Sequence, residues 1–462
     1  MTRRQTDFSP APASLPGLLL AVLLAAVASG GDASAKPLLT DSQLTYASAC
    51  IAGDDTAKRL IEICTRGLEE NRASDGQRIE MLDSLAWSYI NVDDLDRADA
   101  TFGDILTIDP QAEPGLQGSA WILYMRDDYA PAAELFRQAV ARKPRGQNVA
   151  GLAASQYHAR QIDLDEFTGY MRAALALDPD YRWAIRELGW VLAYADRYEP
   201  ALEQFRTALA KNDWDANAEY GLAYVLSQQD KWHEAFDHVT RALEIDPDYI
   251  SARSRRSLIL LNLDRPKQAL KDADAVIEAW PAADDGYVRK ARALVALGRG
   301  SEANELLAGA EKQAGASSYL LFWRAKLLAG DGDYAAALTQ IERSVALEEA
   351  DHYDHRLHAE IAMELDRLPQ ARAAIDRALQ LKPGDSYTQF INALVLLREE
   401  RFEQGEAAFD AAIEAGLHGD YLGDFLSALV DKSRFIQAIQ MRVRYSDRTD
   451  EAESSGSVAG SN

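Results

Sequence analysis

The chain has few cysteines, a shortage of basic residues and almost no long apolar run. Only two of its 462 residues are cysteine, and 49 Lys and Arg face 73 Asp and Glu, which gives a net charge of −24. Phosphate binding requires clustered Lys and Arg, so we expect no nucleic-acid partner and no affinity for anionic lipid. Acidity of this kind is typical of a large solvated surface.

One apolar run lies near the N-terminus. Gly17–Ala28 follows Arg3 and Arg4, and Ala33-Ser34-Ala35 has the A-x-A form of a cleavage site. The run fits a signal peptide over residues 1–35 and is short for a membrane span. We therefore expect an exported chain that is periplasmic, with secretion or an uncleaved membrane anchor as alternatives. No second run of this length follows, so we expect the mature chain not to span a membrane.

A fixed period runs through most of the chain. Steps of 34 from Gly189, with a single step of 35, reach only small residues: Ala86, Ala120, Ser155, Ala223, Ser257, Ala291, Ala325, Ala359 and Ala393. Positions equivalent to Ala201 are also small except at Phe167, and a larger apolar residue such as Phe205 follows one turn later. Each period has two segments with apolar residues three and four apart, which predicts two amphipathic helices joined by a turn.

This unit resembles the tetratricopeptide repeat. The residues that carry the resemblance are, in two successive units, Leu188-Gly189, Tyr198, Ala201, Phe205 and Ala208, then Leu222-Ala223, Trp232, Ala235, Ala242 and Pro247. The resemblance covers roughly residues 41–419. It implies an all-α, right-handed superhelical solenoid of about eleven 34-residue helix-turn-helix units, stabilised by contacts between neighbours.

The expected organisation follows from this period. After the signal peptide we place a Cys-containing repeat and a loop at residues 41–78, with the loop at Arg72–Arg78. The solenoid proper occupies residues 79–419, and capping helices follow at 420–445, where the outer face must tolerate water. Residues 446–462 are polar, acidic and rich in Ser and Gly, so we expect a disordered tail.

Both cysteines fall in the first unit, which resembles the opening Cys-containing repeat of exported proteobacterial proteins of this family. Against later units, Cys50 lies late in the first helix and Cys64 lies midway along the second, where Phe102 and Phe205 stand. In an oxidising compartment this placement favours a disulfide. Two independent buried thiols are the alternative.

No catalytic motif is present: the sequence has no HExxH, no G-x-S-x-G and no phosphate-binding loop, so we predict no enzyme and no cofactor. The only concentration of ligand residues is His352, His355 and His358. Two of these could share a helix face and bind a metal. In the repeat, however, His355 and His358 occupy positions that pack inside the hairpin, so we predict no metal site.

The family resemblance implies that first helices line a concave groove. The candidate groove residues are aromatic or cationic, types that dominate binding hot spots: Trp183, Arg186, Trp190, Tyr194, Tyr220, Tyr224, Phe322, Lys326 and Arg356. Arg292, Tyr353 and Tyr387 occupy further inward positions. The alternative is that several of these rings pack between neighbouring units.

Three functional hypotheses remain. The preferred one is a non-catalytic exported scaffold that binds a protein or peptide in the groove, in cell-envelope assembly. The second is a subunit that handles polysaccharide or cell-wall glycan, with the aromatic rings as sugar platforms. The third and weakest is a metal-dependent enzyme that uses His352, His355 and His358.

Overall fold

The structure, a computed structural model, describes residues 46–53, 56–70, 73–432 and 434–445. These ranges contain 24 α-helices and no β-strand. None of the helices described is long and apolar enough to cross a membrane. The expected signal peptide (1–35) and acidic tail (446–462) lie outside the described residues.

The chain divides into two compact units at residue 252, and the helices pair into consecutive hairpins. The N-terminal unit contains α1 (Tyr46–Ala52), α2 (Ala57–Glu69), α3 (Asp75–Asn91), α4 (Leu95–Ile108), α5 (Glu113–Met125), α6 (Tyr129–Arg142), α7 (Gly146–His158), α8 (Leu164–Leu177), α9 (Arg182–Tyr194), α10 (Tyr198–Lys211), α11 (Ala216–Gln228) and α12 (Trp232–Ile245). The C-terminal unit contains most of α13 (Ile250–Asn262), then α14 (Pro266–Ala279), α15 (Asp284–Ala296), α16 (Gly300–Ala314), α17 (Ser318–Gly330), α18 (Tyr334–Val345), α19 (His352–Glu364), α20 (Leu368–Leu381), α21 (Ser386–Arg398), α22 (Phe402–Glu414), α23 (Leu422–Asp431) and α24 (Phe435–Arg444). The all-α repeat architecture is therefore confirmed.

Large side chains of the second helices pack against small residues of the first helices. Phe205 on α10 is fully buried, and a methyl group added at Gly189 of its own hairpin would lie 2.9 Å from its ring. A methyl group at Gly221, in the next hairpin, would lie 2.4 Å from the same ring. The regular spacing of small residues thus sets how closely adjacent helices approach. Phe167, the one large residue at the position of Ala201, is also fully buried and packs on Tyr157, with ring centroids 4.9 Å apart.

The turns inside the hairpins share one backbone feature. From the α3–α4 turn to the α21–α22 turn, each contains a residue with positive φ: Asp93, Asp127, Arg160, Asp196, Asp230, Asp264, Gly298, Gly332, Asp366 and Glu400. Left-handed backbone suits glycine, and Asp tolerates it better than most other residues because its short side chain can hydrogen-bond locally. The turns rich in Asp and Gly therefore serve chain reversal.

The ends of the repeat region differ in detail from the sequence-based boundaries. The first full-length hairpin begins at Asp75 rather than near residue 79, because Ser74 and Gln77 form a capping box. The Ser74 backbone N–H donates to Gln77 Oε1 at 3.1 Å, and the Gln77 N–H donates to Ser74 Oγ at 3.4 Å. The loop expected over Arg72–Arg78 is correspondingly shorter.

At the other end, α23 and α24 form a complete hairpin after a 3-10 turn at Gly419–Tyr421. Phe425 stacks on Phe409 with ring centroids 4.3 Å apart, which continues the core. Arg442 is exposed, as expected for a cap, but Ile439 and Val443 are exposed as well. The outer face of this hairpin is therefore less polar than expected.

In the structure, Cys50 of α1 and Cys64 of α2 are joined by a disulfide, with their Cα atoms 4.8 Å apart. Both side chains are fully buried and pack with Met81 and Leu85 of α3. The disulfide therefore ties the short α1 to the hairpin at the end of the repeat, where a unit has only one neighbour.

The C50S/C64S variant tests this role. Removing a cross-link across 14 residues should cost about 3 kcal/mol, by the loop-closure entropy of the unfolded chain. Because stability in repeat proteins is carried by neighbouring contacts, the loss should be local. Amide hydrogen exchange should accelerate in α1 and α2 and stay unchanged in α11 and α12. Unchanged protection of α1 and α2 would contradict a stapling role.

Candidate binding surface on the first helices

The nine predicted groove residues fall into two groups. Six lie in the N-terminal unit, on α9 and α11, and three lie in the C-terminal unit, on α17 and α19. Within each unit, the first helices of adjacent hairpins contact one another. Residues on these helices therefore form a continuous surface within each unit, and the two surfaces have different chemistry.

The aromatic group in the N-terminal unit is largely internal. The Trp190 ring lies 5.7 Å from Tyr194, 5.3 Å from Tyr220 and 5.5 Å from Tyr224 between ring centroids. Trp190 and Tyr220 are each 9% exposed and Tyr224 is 3% exposed. The Trp190 indole N–H donates to Asn217 Oδ1 at 2.9 Å. These rings pack between hairpins, as the alternative interpretation of the sequence described.

Trp183 and Tyr194 are the more accessible members of this group, since both are half-buried. Trp183 makes an edge contact with Trp121, with ring centroids 4.7 Å apart, and Tyr194 makes one with Tyr224 at 5.3 Å. Even these rings are anchored by neighbours and leave only part of their surface for a ligand.

Arg186 has a structural partner. Its guanidinium donates to Asp215 Oδ2 at 2.6 Å, and both side chains are buried. Asp215 is also the N-cap of α11, where its Oδ1 accepts the Ala218 N–H at 3.1 Å. The pair therefore ties the middle of α9 to the start of the next hairpin.

The same arrangement recurs between α19 and α21. Arg356 of α19 contacts Asp385 at 3.2 Å, and Asp385 is the N-cap of α21. In both cases the Asp stands at the same sequence separation of 29 from its Arg, so the pair forms in two hairpins that carry Arg and Asp at the same two repeat positions. The two Asp partners were not predicted from the sequence, although Asp recurs there just before a first helix.

The R186M variant should therefore destabilise the fold. It leaves the Asp215 carboxylate buried without its cation, a change that typically costs about 3–5 kcal/mol. Denaturant unfolding should show this loss, and R206M, which removes an exposed Arg from α10, should change stability by less than about 0.5 kcal/mol. In a double-mutant cycle with D215N, additive losses would contradict a coupled pair.

The C-terminal unit presents cations around one indole ring. The Arg292 guanidinium of α15 lies 4.6 Å from the Trp323 ring centroid, and the Lys326 ammonium of α17 lies 5.0 Å from it. Within the described residues, neither cation forms an ion pair with a carboxylate. Phe322, the remaining predicted residue, is half-buried beside Trp323, 5.7 Å away between ring centroids.

Electrostatics mark these two cations as uncompensated. Burial and the nearby Arg289 lower the pKa of Arg292 to about 10. Partial burial also lowers the pKa of Lys326, with Arg292 and Arg356 adding repulsion and Glu360 opposing it. Burial is the first cause of both shifts, and Asp285 and Glu360 offset them only in part. An anionic group placed beside Trp323 would supply further counter-charge.

Arg356 forms the edge of this cationic surface. Its guanidinium lies over Tyr353 and Tyr387, at 4.9 Å and 4.7 Å from the ring centroids. It is paired with Asp385 and with Glu360, whose Oε1 is 3.5 Å away. Burial raises the pKa of Glu360 despite this pair. Arg356 is thus a positioned and largely neutralised residue, whereas Arg292 and Lys326 are not neutralised.

His352 and His358 of α19 lie beside different side chains. The Nε2 atom of His352 is 3.8 Å from Asp385 Oδ1, and His358 Nε2 lies 3.1 Å from Gln370 Nε2. Among the residues described, no group of three His, Cys, Asp or Glu side chains could hold a metal ion.

Burial lowers the pKa of His352, His355 and His358, and Arg377 adds repulsion at His355. As pH falls, the unfolded chain takes up these protons before the folded chain does. The contribution of the three neutral histidines to the free energy of unfolding is therefore complete above about pH 6.5 and is lost as the pH falls below that value.

Thermal unfolding between pH 7.5 and 5.0 tests this sign. As the pH falls over this range, the melting temperature of the H355N/H358N variant should decrease less than that of the wild type. H418N removes an exposed histidine whose side chain lies beside Asp420 and should behave like the wild type. An equal loss in H355N/H358N and H418N would contradict the assignment.

Comparison with known proteins matches two stretches of these repeats to a family model. A profile described as "Tetratricopeptide repeat" matches residues 186–250 and 324–386. Because the match includes two separate pairs of hairpins, it supports the tetratricopeptide-repeat family for this chain. The repeat architecture of the described helices agrees with it.

Curated relatives share parts of the chain. Identity is 31% over 87 residues with the mitochondrial import receptor subunit TOM70 of Rattus norvegicus (18% of this chain, 14% of that protein). It is 43% over 65 residues with the protein STIP1 homolog of Dictyostelium discoideum (14% and 12%). It is 26% over 234 residues with the DnaJ homolog subfamily C member 7 homolog of Schizosaccharomyces pombe (46% and 49%). The chain thus spans less than half the length of each of these relatives.

Similar solved structures include yeast Tom70, with a TM-score of 0.49 and 15% identity over 90% of this chain and 99% of that chain. A chain of the APC/C hetero-tetramer Cut9–Hcn1 gives a TM-score of 0.48 and 12% identity, covering 84% and 83%.

Proposed function

We propose that this chain is an exported, non-catalytic scaffold that binds a protein partner on the first helices of its C-terminal unit, in assembly of the cell envelope. The observation that carries the proposal is the pair of uncompensated cations, Arg292 and Lys326, on the ring of Trp323. In a chain of net charge −24, these cations lie together with no carboxylate within ion-pair distance of either among the described residues. An acidic segment of a partner would satisfy both.

The surroundings suit a peptide segment. Tyr353 is 43% exposed and Tyr387 is half-buried, and Arg356 lies over both rings. Exposed aromatic and Arg side chains combine apolar contact with hydrogen bonding, as at binding hot spots. The name of one relative, an import receptor subunit, also favours a protein as partner. Export is the part of the proposal that rests on residues 1–35.

The glycan hypothesis has less support. Sugar platforms require exposed aromatic faces, whereas Trp190, Tyr220 and Tyr224 are each no more than 9% exposed. A protein partner is therefore the function that the geometry supports best.

Site-specific photo-crosslinking tests the proposal. A benzoylphenylalanine at Tyr353 should give a discrete adduct with one protein in an envelope extract. The R292Q/K326Q variant should reduce that adduct about tenfold or more, because the partner's acidic groups lose both cations. K267Q/K271Q, which removes two exposed lysines from α14, should leave it unchanged. If both double variants give the wild-type adduct, or if no adduct forms, the proposed surface is wrong.

A further inference from the structure

The first full-length hairpin carries an acidic residue at the position where two other hairpins carry the Arg of an inter-hairpin pair. Asp83 of α3 occupies the repeat position of Arg186 and Arg356. The position that holds Asp215 and Asp385 in the two pairs is Ala112 here, the N-cap of α5. Asp83 therefore lacks the structural partner that its position has in those pairs.

The carboxylate of Asp83 is poorly compensated. Its Oδ1 atom is buried and accepts no hydrogen bond from a described residue, and Trp87 stands one helical turn further along α3. Burial raises the pKa of Asp83 to about 6; the Trp87 hydrogen bond and Arg145 oppose the shift, and Glu113 adds to it. A charged group in this state costs stability unless something cationic reaches it.

Glu113 of α5 makes the surroundings more acidic. Asn148 Nδ2 donates to Glu113 Oε1 at 2.8 Å, but the only cation near it among the described residues, Arg145, is 3.8 Å away and keeps 44% of its side chain in solvent. The Oδ1 atom of Asn148 is a second buried acceptor without a donor among the described residues. The carboxylates of Asp83 and Glu113 thus have Arg145 as their only weak counter-ion among the described residues, and the amide oxygen of Asn148 beside Glu113 accepts no hydrogen bond from them.

An aromatic wall lies beside these acceptors. The Trp87 ring is half-buried and is held by an edge contact with Phe102, with ring centroids 5.7 Å apart. Trp87 and Trp183 both pack against the cluster that contains Trp121. An indole face next to a carboxylate attracts an ammonium or guanidinium group by cation–π and charge-assisted contacts.

We propose that Asp83, Glu113 and the ring of Trp87 form a binding site for a cationic side chain, the Lys or Arg of a partner protein. A metal ion is a poorer fit, because no group of three ligand side chains occurs among the described residues. The site lies in the N-terminal unit and has the opposite charge preference to the surface around Trp323. It therefore goes beyond the proposed function and stands or fails separately.

Small monovalent probes test the site without the general attraction of polycations to an acidic chain. The probes are the Nα-acetyl methylamides of lysine, arginine and norleucine, the last being the neutral control. They are titrated into the mature chain with ¹⁵N-labelled tryptophan, and the indole resonance of Trp87 is assigned with W87F. The lysine or arginine probe should shift this resonance saturably, and norleucine should not.

Two variants separate a binding role from a structural one. D83N keeps the side-chain shape and should lower the affinity for the cationic probe at least tenfold. D104N, which removes an exposed carboxylate from α4, should change this affinity less than twofold. D83N should also melt at a temperature equal to or above that of the wild type at pH 7.5, because an uncompensated charge is removed. For the wild type, affinity should fall as pH drops below about 6, where Asp83 takes up a proton.

Several outcomes would overturn the inference. These are equal shifts with norleucine, equal affinity in D83N and D104N, or no shift of the Trp87 resonance with any probe. Spermidine is an additional probe. If it bound a hundredfold more tightly than either amino-acid probe and depended on Asp83, the site would belong to a free polyamine and the assignment to a protein side chain would be wrong.

Discussion

The packing of one large side chain between two first helices is the constraint on which the structure depends. Phe205 fills the space between Gly189 of its own hairpin and Gly221 of the next, and neither position has room for a methyl group beside the ring. Interiors packed this tightly tolerate little change in volume. Since the same contact recurs in other hairpins, the spacing between successive first helices is fixed before any surface residue is considered.

That spacing explains what the sequence could predict. Small residues at a fixed period, turns rich in Asp and Gly, and apolar residues three and four apart are properties of a single hairpin and its copies. They identify the helices, their pairing and the place of Cys50 beside Cys64. The start of α3 at Asp75 escaped prediction because it depends on a local capping box between Ser74 and Gln77 rather than on the period of small residues.

The candidate surface was predicted less completely, for a physical reason. The period shows which residues share a helix face, but it does not show how far the next hairpin covers that face. Trp190 and Tyr220 lie at inward positions and are nevertheless buried against each other. Arg186 forms a buried ion pair with Asp215. Trp323, outside the expected inward positions, instead collects Arg292 and Lys326. Contacts between adjacent hairpins therefore decide which of these side chains are buried and which remain accessible.

Repetition also gives a standard against which an unusual residue can be judged. At one repeat position, Arg186 and Arg356 each find an Asp at the N-cap of the next first helix, so their charges are explained by the fold alone. Asp83 stands at the same position with Ala112 in place of that partner and with Glu113 nearby. A partly buried carboxylate whose counter-ion is weak lowers stability. The departure from the repeat, rather than the repeat, is therefore where a ligand contact is best supported.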